Sequence, residues 1–145
     1  MRIDKLTEFA DGMALTGGAG RALAPGVIDL RGGSFAPGGS RNLYAVVALT
    51  TAGAGTGPVE FQLVSDAQAA IATDGSATVF ASTGQIATSA LMVGWARTLA
   101  LPLGGTERYL GLIVNRVGAM TGGVISAFLT LDPPSWAPFD METGR

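Results

Sequence analysis

Histidine and cysteine are both absent from this 145-residue chain. Without histidine there is no ordinary general base near neutral pH, no usual partner for a nucleophilic serine and no imidazole metal ligand. Without cysteine, neither disulfides nor thiolate metal sites can contribute. Charge is scarce too: 14% of residues are charged, the net charge is −2, and Lys5 is the single lysine, whereas an ordinary globular domain carries about 25% charged residues. The eight arginines that make up the rest of the nine cationic residues are scattered from Arg2 to Arg145. No cluster is available to displace counterions, which argues against a nucleic-acid partner. Met1 to Phe9 holds Arg2, Asp4, Lys5 and Glu8 in place of the apolar core of a signal peptide. No apolar run approaches the ~18 to 20 residues of a membrane span. The expectation is a soluble chain made in the cytoplasm, with no catalytic residues, no cofactor, no metal and no membrane partner.

What the chain does have is glycine, 22 residues of it, and 48% hydrophobic residues gathered into short runs between Gly and Pro punctuation. That pattern predicts an all-β sandwich or barrel. In Asn42 to Thr50, Leu43, Ala45, Val47 and Leu49 share one face while Tyr44, Val46 and Ala48 make the other apolar too, as for a central strand covered on both sides. Pro58 to Ser65 alternates more cleanly, predicting Val59, Phe61 and Leu63 inward and Glu60 and Gln62 towards solvent. Further strands are expected at Thr7 to Leu15, Val27 to Leu30, Ala77 to Ser82, Ala90 to Leu101, Glu107 to Val117 and Val124 to Asp132, with Gly118 to Gly123 as a loop. The count is about eight, that of a jelly-roll-like β-sandwich. Asp66 to Asp74 is the one place where a short helical turn, capped by Asp66, competes with loop.

A domain of this length buries about 70% of the surface its unfolded chain exposes, so a self-sufficient core is expected. The sandwich is assigned to residues 17–132, with 1–16 as an N-terminal arm or first strand and 133–145 as a Pro/aromatic C-terminal arm. Pro133 and Pro134 end any central strand, yet Trp136, Phe139 and Met141 follow. An extended arm anchored by rings fits that composition. The thin charged coat suggests a surface meant to be covered, hence a homo-oligomer or assembly component. Contact candidates are the apolar residues of the arms and of the Arg31 to Arg41 loop: Ile3, Leu6, Phe9, Phe35, Trp136, Phe139 and Met141.

The residues that could carry chemistry have plainer readings. Asp66 with Asp74, or Glu107 with Asp132, could form a glycosidase pair, but solvated turn residues are the stronger expectation. No Asp-x-Asp-x-Asp-Gly spacing supports calcium. The clusters Thr16 to Arg21 and Gly33 to Ser40 read as turns, since Gly39 stands where a phosphate-binding loop needs lysine. Trp95 and Arg97, two apart on one strand face, could form a sugar-stacking platform, as could Tyr44 or Tyr109; core or interface is the commoner place for such a tryptophan.

Met1-Arg-Ile-Asp-Lys-Leu6, Val27-Ile-Asp-Leu30, Asn42-Leu-Tyr-Ala-Val-Val47, Gln62-Leu-Val-Ser-Asp66, Val93-Gly-Trp-Ala-Arg97, Leu101-Pro-Leu-Gly104, Glu107-Arg-Tyr-Leu-Gly-Leu112 and Gly122 to Asp132 follow one another in an order and spacing that resembles the Bbp16-like capsid cement (decoration) proteins of tailed bacteriophages. The similarity spans residues 1–132. It implies a jelly-roll-like domain on the outer face of an HK97-type phage head. There it would act as a homo-oligomer, a dimer in the first instance with a trimer as the other option, bridging neighbouring major capsid protein subunits. No catalytic residues come with it. The alternative from a different class is a carbohydrate- or receptor-binding β-sandwich on the virion.

Overall fold

The computed structural model describes residues 8–29, 43–101 and 108–130. Nine strands run in chain order: β1 (Glu8–Ala14), β2 (Gly20–Leu23), β3 (Ile28–Asp29), β4 (Leu43–Gly55), β5 (Val59–Asp66), β6 (Thr78–Ser82), β7 (Ala96–Leu101), β8 (Tyr109–Arg116) and β9 (Met120–Thr130). A 3-10 turn at Thr88–Ala90 precedes β7, and no α-helix occurs among the described residues.

The strands form two antiparallel sheets, ordered β1-β9-β4-β7 (sheet A) and β2-β8-β5-β6 (sheet B), with β3 also pairing β8. Pairing is nested: β5 with β6, β4 with β7, β2 and β3 with β8, and β1 with β9. The chain is thus one long hairpin. It is rolled so that β4 also meets β9 and β5 also meets β8, which divides the ribbon into two sheets in a jelly-roll-like order. The all-β sandwich expected from the sequence is the observed fold.

Period-two alternation places the core. Ala45, Val47 and Leu49 of β4 and Ile125, Ala127 and Leu129 of β9 face Val59, Phe61 and Leu63 of β5 and Leu110, Leu112 and Val114 of β8 in one buried cluster. Small residues oppose large ones: Val47 pairs Ala127 and Ala45 pairs Leu129, so the layers interdigitate. Burying each of the larger side chains contributes about 1.5 to 3 kcal/mol.

Four expectations are corrected. The outer face of β5 does not look onto solvent: Gln62 is 7% exposed and Val64 fully buried. Val64 belongs to a second small core in which Ile71, from the loop after β5, packs with Ala77 and Ile113 over the outside of sheet B. That loop, residues 67–77, forms no helix; Asp66 caps it by accepting hydrogen bonds from the Gln68 and Ala72 N–H groups at 3.4 and 3.2 Å. The strand expected from Ala90 begins only at Ala96. Leu91 to Trp95 is a turn around Gly94, whose φ of +93° disfavours any residue with a Cβ. Gly122 and Gly123 lie inside β9 rather than in a loop. They sit where register shifts interrupt the β4 ladder, as strand glycines do at bulges. Finally, part of the Thr16 to Arg21 cluster begins strand β2, which pairs Gly20 to Leu23 with Arg116 to Ile113.

Candidate functional site

The register gathers the chain's exits at one end of the sandwich. Glu8 lies opposite Phe128, Asp29 opposite Tyr109, Leu43 opposite Leu101 and Tyr44 opposite Thr130. The segments 1–7, 30–42, 102–107 and 131–145 therefore all join the sandwich at this end. Six contact candidates, Ile3, Leu6, Phe35, Trp136, Phe139 and Met141, lie outside the described residues, on three of those segments. Phe9 is different: at 0% exposure it fills the main core beside Ala10 and Leu15. A ring enclosed between two sheets has no free face for a partner, so Phe9 is a core residue and residues 8–15 are part of the sandwich.

Next to the exits, Arg108 donates two hydrogen bonds of 2.9 Å to the carboxylate of Asp29 and stands 5.0 Å from the centre of the Tyr109 ring. The bidentate pair ties β3 to β8. The hydrogen bonds from Arg108 to Asp29 raise the guanidinium's pKa further. A cleft of about 260 Å³ opens beside β1, lined by Glu8, Phe9, Ala10, Asp11, Pro25 and Gly26. The Gly26 N–H donates to the Phe9 carbonyl at 2.7 Å there.

The two outer faces differ in chemistry. Outside sheet B, polar groups gather around Glu60, beside the small apolar core built on Ile71. Glu60 accepts from Ser82 Oγ and, at 3.4 Å, from Asn115 Nδ2. These bonds, Ser82 first, hold its carboxyl below the ordinary 4.5, with Arg21 adding attraction. Asp74 is held low in the same way by Ser76, whose hydroxyl and N–H both donate to it. On sheet A, alternation puts Tyr44, Val46, Ala48 and Thr50 of β4, Ser126, Phe128 and Thr130 of β9, and Ala96, Thr98 and Ala100 of β7 outward. None of these ten is charged. Val46 and Phe128 at the centre are each 3% exposed, while Ala96, Thr98 and Ala100 are open to solvent.

Trp95 is half-buried, packed on the core with its ring 5.7 Å from that of Phe61, so only part of it is available for stacking. Arg97 sits over the same Trp95 ring, 5.6 Å from its centre. Asp66 and Asp74 serve as loop caps, and Glu107 and Asp132 lie outside the described residues. Among the described residues no three of His, Cys, Asp and Glu come together. The uncharged part of the outer face of sheet A is not visible in the sequence as a unit, because its members come from three separate strands, β4, β7 and β9, with Glu8 and Asp11 of β1 beside them; the signal is the two-sided apolarity of Asn42 to Thr50.

The sequence profile of the Bbp16 family matches residues 9–129. No curated protein matches the chain.

Proposed function

The chain belongs to the Bbp16 family, a phage-associated family, and from that premise we propose that it is a capsid cement protein. It binds the outer surface of an HK97-type head as a homo-oligomer and bridges neighbouring major capsid protein subunits. The family match over residues 9–129 carries this reading. The uncharged, solvent-exposed strip of Ala96, Thr98 and Ala100 on the outer face of β7 supports it, since such a strip gains from being covered. The protein is read as a structural part of the virion with no catalytic step, made in the host cytoplasm.

The physical task is simple. A shell under internal pressure fails at junctions between capsomers, and a protein docked across a junction adds its binding free energy to the seam. Once one subunit of an oligomer is seated, the next binds at high effective concentration, so individually weak patches give a clamp that seldom releases. The arms bearing Ile3, Leu6, Trp136, Phe139 and Met141, and the loop bearing Phe35, are assigned contacts with the shell or with sister subunits. Their roots converge at one end of the sandwich, so one docking event can engage them together. Glycan binding is the lesser reading, because Trp95 gives one side to Phe61 and Tyr109 is half-buried beside Arg108.

Co-sedimentation tests the proposal. Purified chain mixed with DNA-filled heads lacking it should pellet at saturating stoichiometry and raise the temperature at which DNA is released. Chain remaining in the supernatant, with DNA release unchanged, would refute it.

A further inference from the structure

We propose that the edge of β7, which pairs with no further strand among the described residues, accepts an extended strand of the shell protein, one carrying a carboxylate opposite Arg97. The inference rests on the cement reading and names the docking surface within it.

Sheet edges attract foreign strands unless they are blunted. Three of the four edges here are blunted. β1 is interrupted by two register shifts and takes a hydrogen bond from Gly26. β2 is short, four residues. β6 has five and a register shift against β5. β7 is the longest edge in unbroken register, pairing all six residues, Ala96 through Leu101, with Ala48 through Leu43.

The direction of its backbone groups follows from the ladder. The Leu49 N–H donates to the Trp95 carbonyl at 2.8 Å, while the Leu49 carbonyl accepts from Gly94 N–H at 3.3 Å, so Leu49 stands at a hydrogen-bonding position of the ladder. In an antiparallel ladder such positions alternate, which turns Arg97 and Leu99 towards β4 and leaves the N–H and C=O groups of Ala96, Thr98 and Ala100 pointing away from it. These three residues are also exposed. The edge thus presents donors and acceptors at the spacing an added strand needs.

Charge selects the occupant. Arg97 is exposed and stands over Trp95. A second copy added antiparallel about Thr98 would bring the two Arg97 side chains into diagonal positions, about 7 to 8 Å apart on one face, within about one Debye length at physiological salt. That contact is repulsive. An incoming strand with Asp or Glu opposite Arg97 turns it into a charge-assisted hydrogen bond. Met92 and Val93, 64% and 67% exposed just before the strand, extend the contact with apolar surface.

The test uses empty shells of the cognate capsid protein and the full chain. Thr98→Pro removes an outward N–H at an edge position where proline is tolerated, and Arg97→Glu reverses the charge. Each should weaken shell binding about tenfold or more, as loss of a strand hydrogen bond or an ion pair does, with circular dichroism unchanged. Should Thr98→Pro fail to fold, amide hydrogen exchange on the native chain decides: Ala96, Thr98 and Ala100 amides should exchange fast in the free protein and slowly on shells. Undiminished binding by both folded variants, or equal exchange free and bound, would overturn the proposal. So would protection of the three amides that grows with protein concentration alone, which would make β7 a self-interface. Failure of the wild-type chain to bind shells at all would instead refute the cement reading.

Discussion

Ile71 sits over the backbone of Gly111, and a Cβ added there would lie 2.7 Å from its Cδ1. Gly111 is therefore glycine for room. Gly111→Ala should force Ile71 and Leu23 outward and cost about 1 to 3 kcal/mol as an overpacking change, read as a lower denaturant midpoint. Phe61→Ala should cost more, about 3 to 5 kcal/mol, because it empties the centre between the sheets. Glu60 makes stability depend on pH. Its folded pKa lies below the ordinary value, held there first by Ser82, so its contribution is fully present above its unfolded value of about 4.3. That contribution is lost as pH falls through the lowered folded value. Glu60→Gln should flatten the acid limb of a melting-temperature profile and leave the neutral limb unchanged in slope. At this scale the sequence was readable where a residue's role follows from its strand position, as for Val59, Phe61 and Leu63. It is not readable for Ile71, a loop residue whose burial depends on Ile113, far along the chain.

Elements were legible in proportion to their length and β-branching. β4, β5, β8 and β9 follow from runs of Val, Ile and Leu. β2 did not, because Gly-Arg-Ala-Leu has no β-branched residue and is held by pairing with β8, a tertiary cause. β7 was placed too early because Leu91, Met92 and Val93 look like strand, whereas Gly94 at positive φ turns the chain there. Three backbone bonds then dock the turn on β4, Gly53 N–H to Leu91 O at 2.7 Å, Leu49 N–H to Trp95 O at 2.8 Å and Gly94 N–H to Leu49 O at 3.3 Å. Gly94→Ala should lower stability by about 1 to 3 kcal/mol through backbone strain, measured by urea unfolding. Met92→Ser with Val93→Ser should leave stability within about 0.5 kcal/mol, since both side chains are exposed.

For the whole molecule, scarcity of charge and the absence of histidine direct attention to surfaces, and the fold distributes those surfaces unequally. Polar groups collect outside sheet B around Glu60, Asn115 and Ser82, while the outside of sheet A is uncharged across β9, β4 and β7 and carries Glu8 and Asp11 only on β1. The chain's exits meet at one end. Neither arrangement could be read from the sequence, because both are set by register between strands far apart in the chain, such as β1 with β9. The contact residues named on the arms keep their place in the proposal, while Phe9 moves to the core. Cryo-electron microscopy of heads with and without the protein tests the central claim most directly. Added β-sandwich density is expected on the outer surface, spanning junctions between capsomers and present only in the decorated particles. Identical shells in both preparations, or density located only at the tail or inside the head, would contradict it.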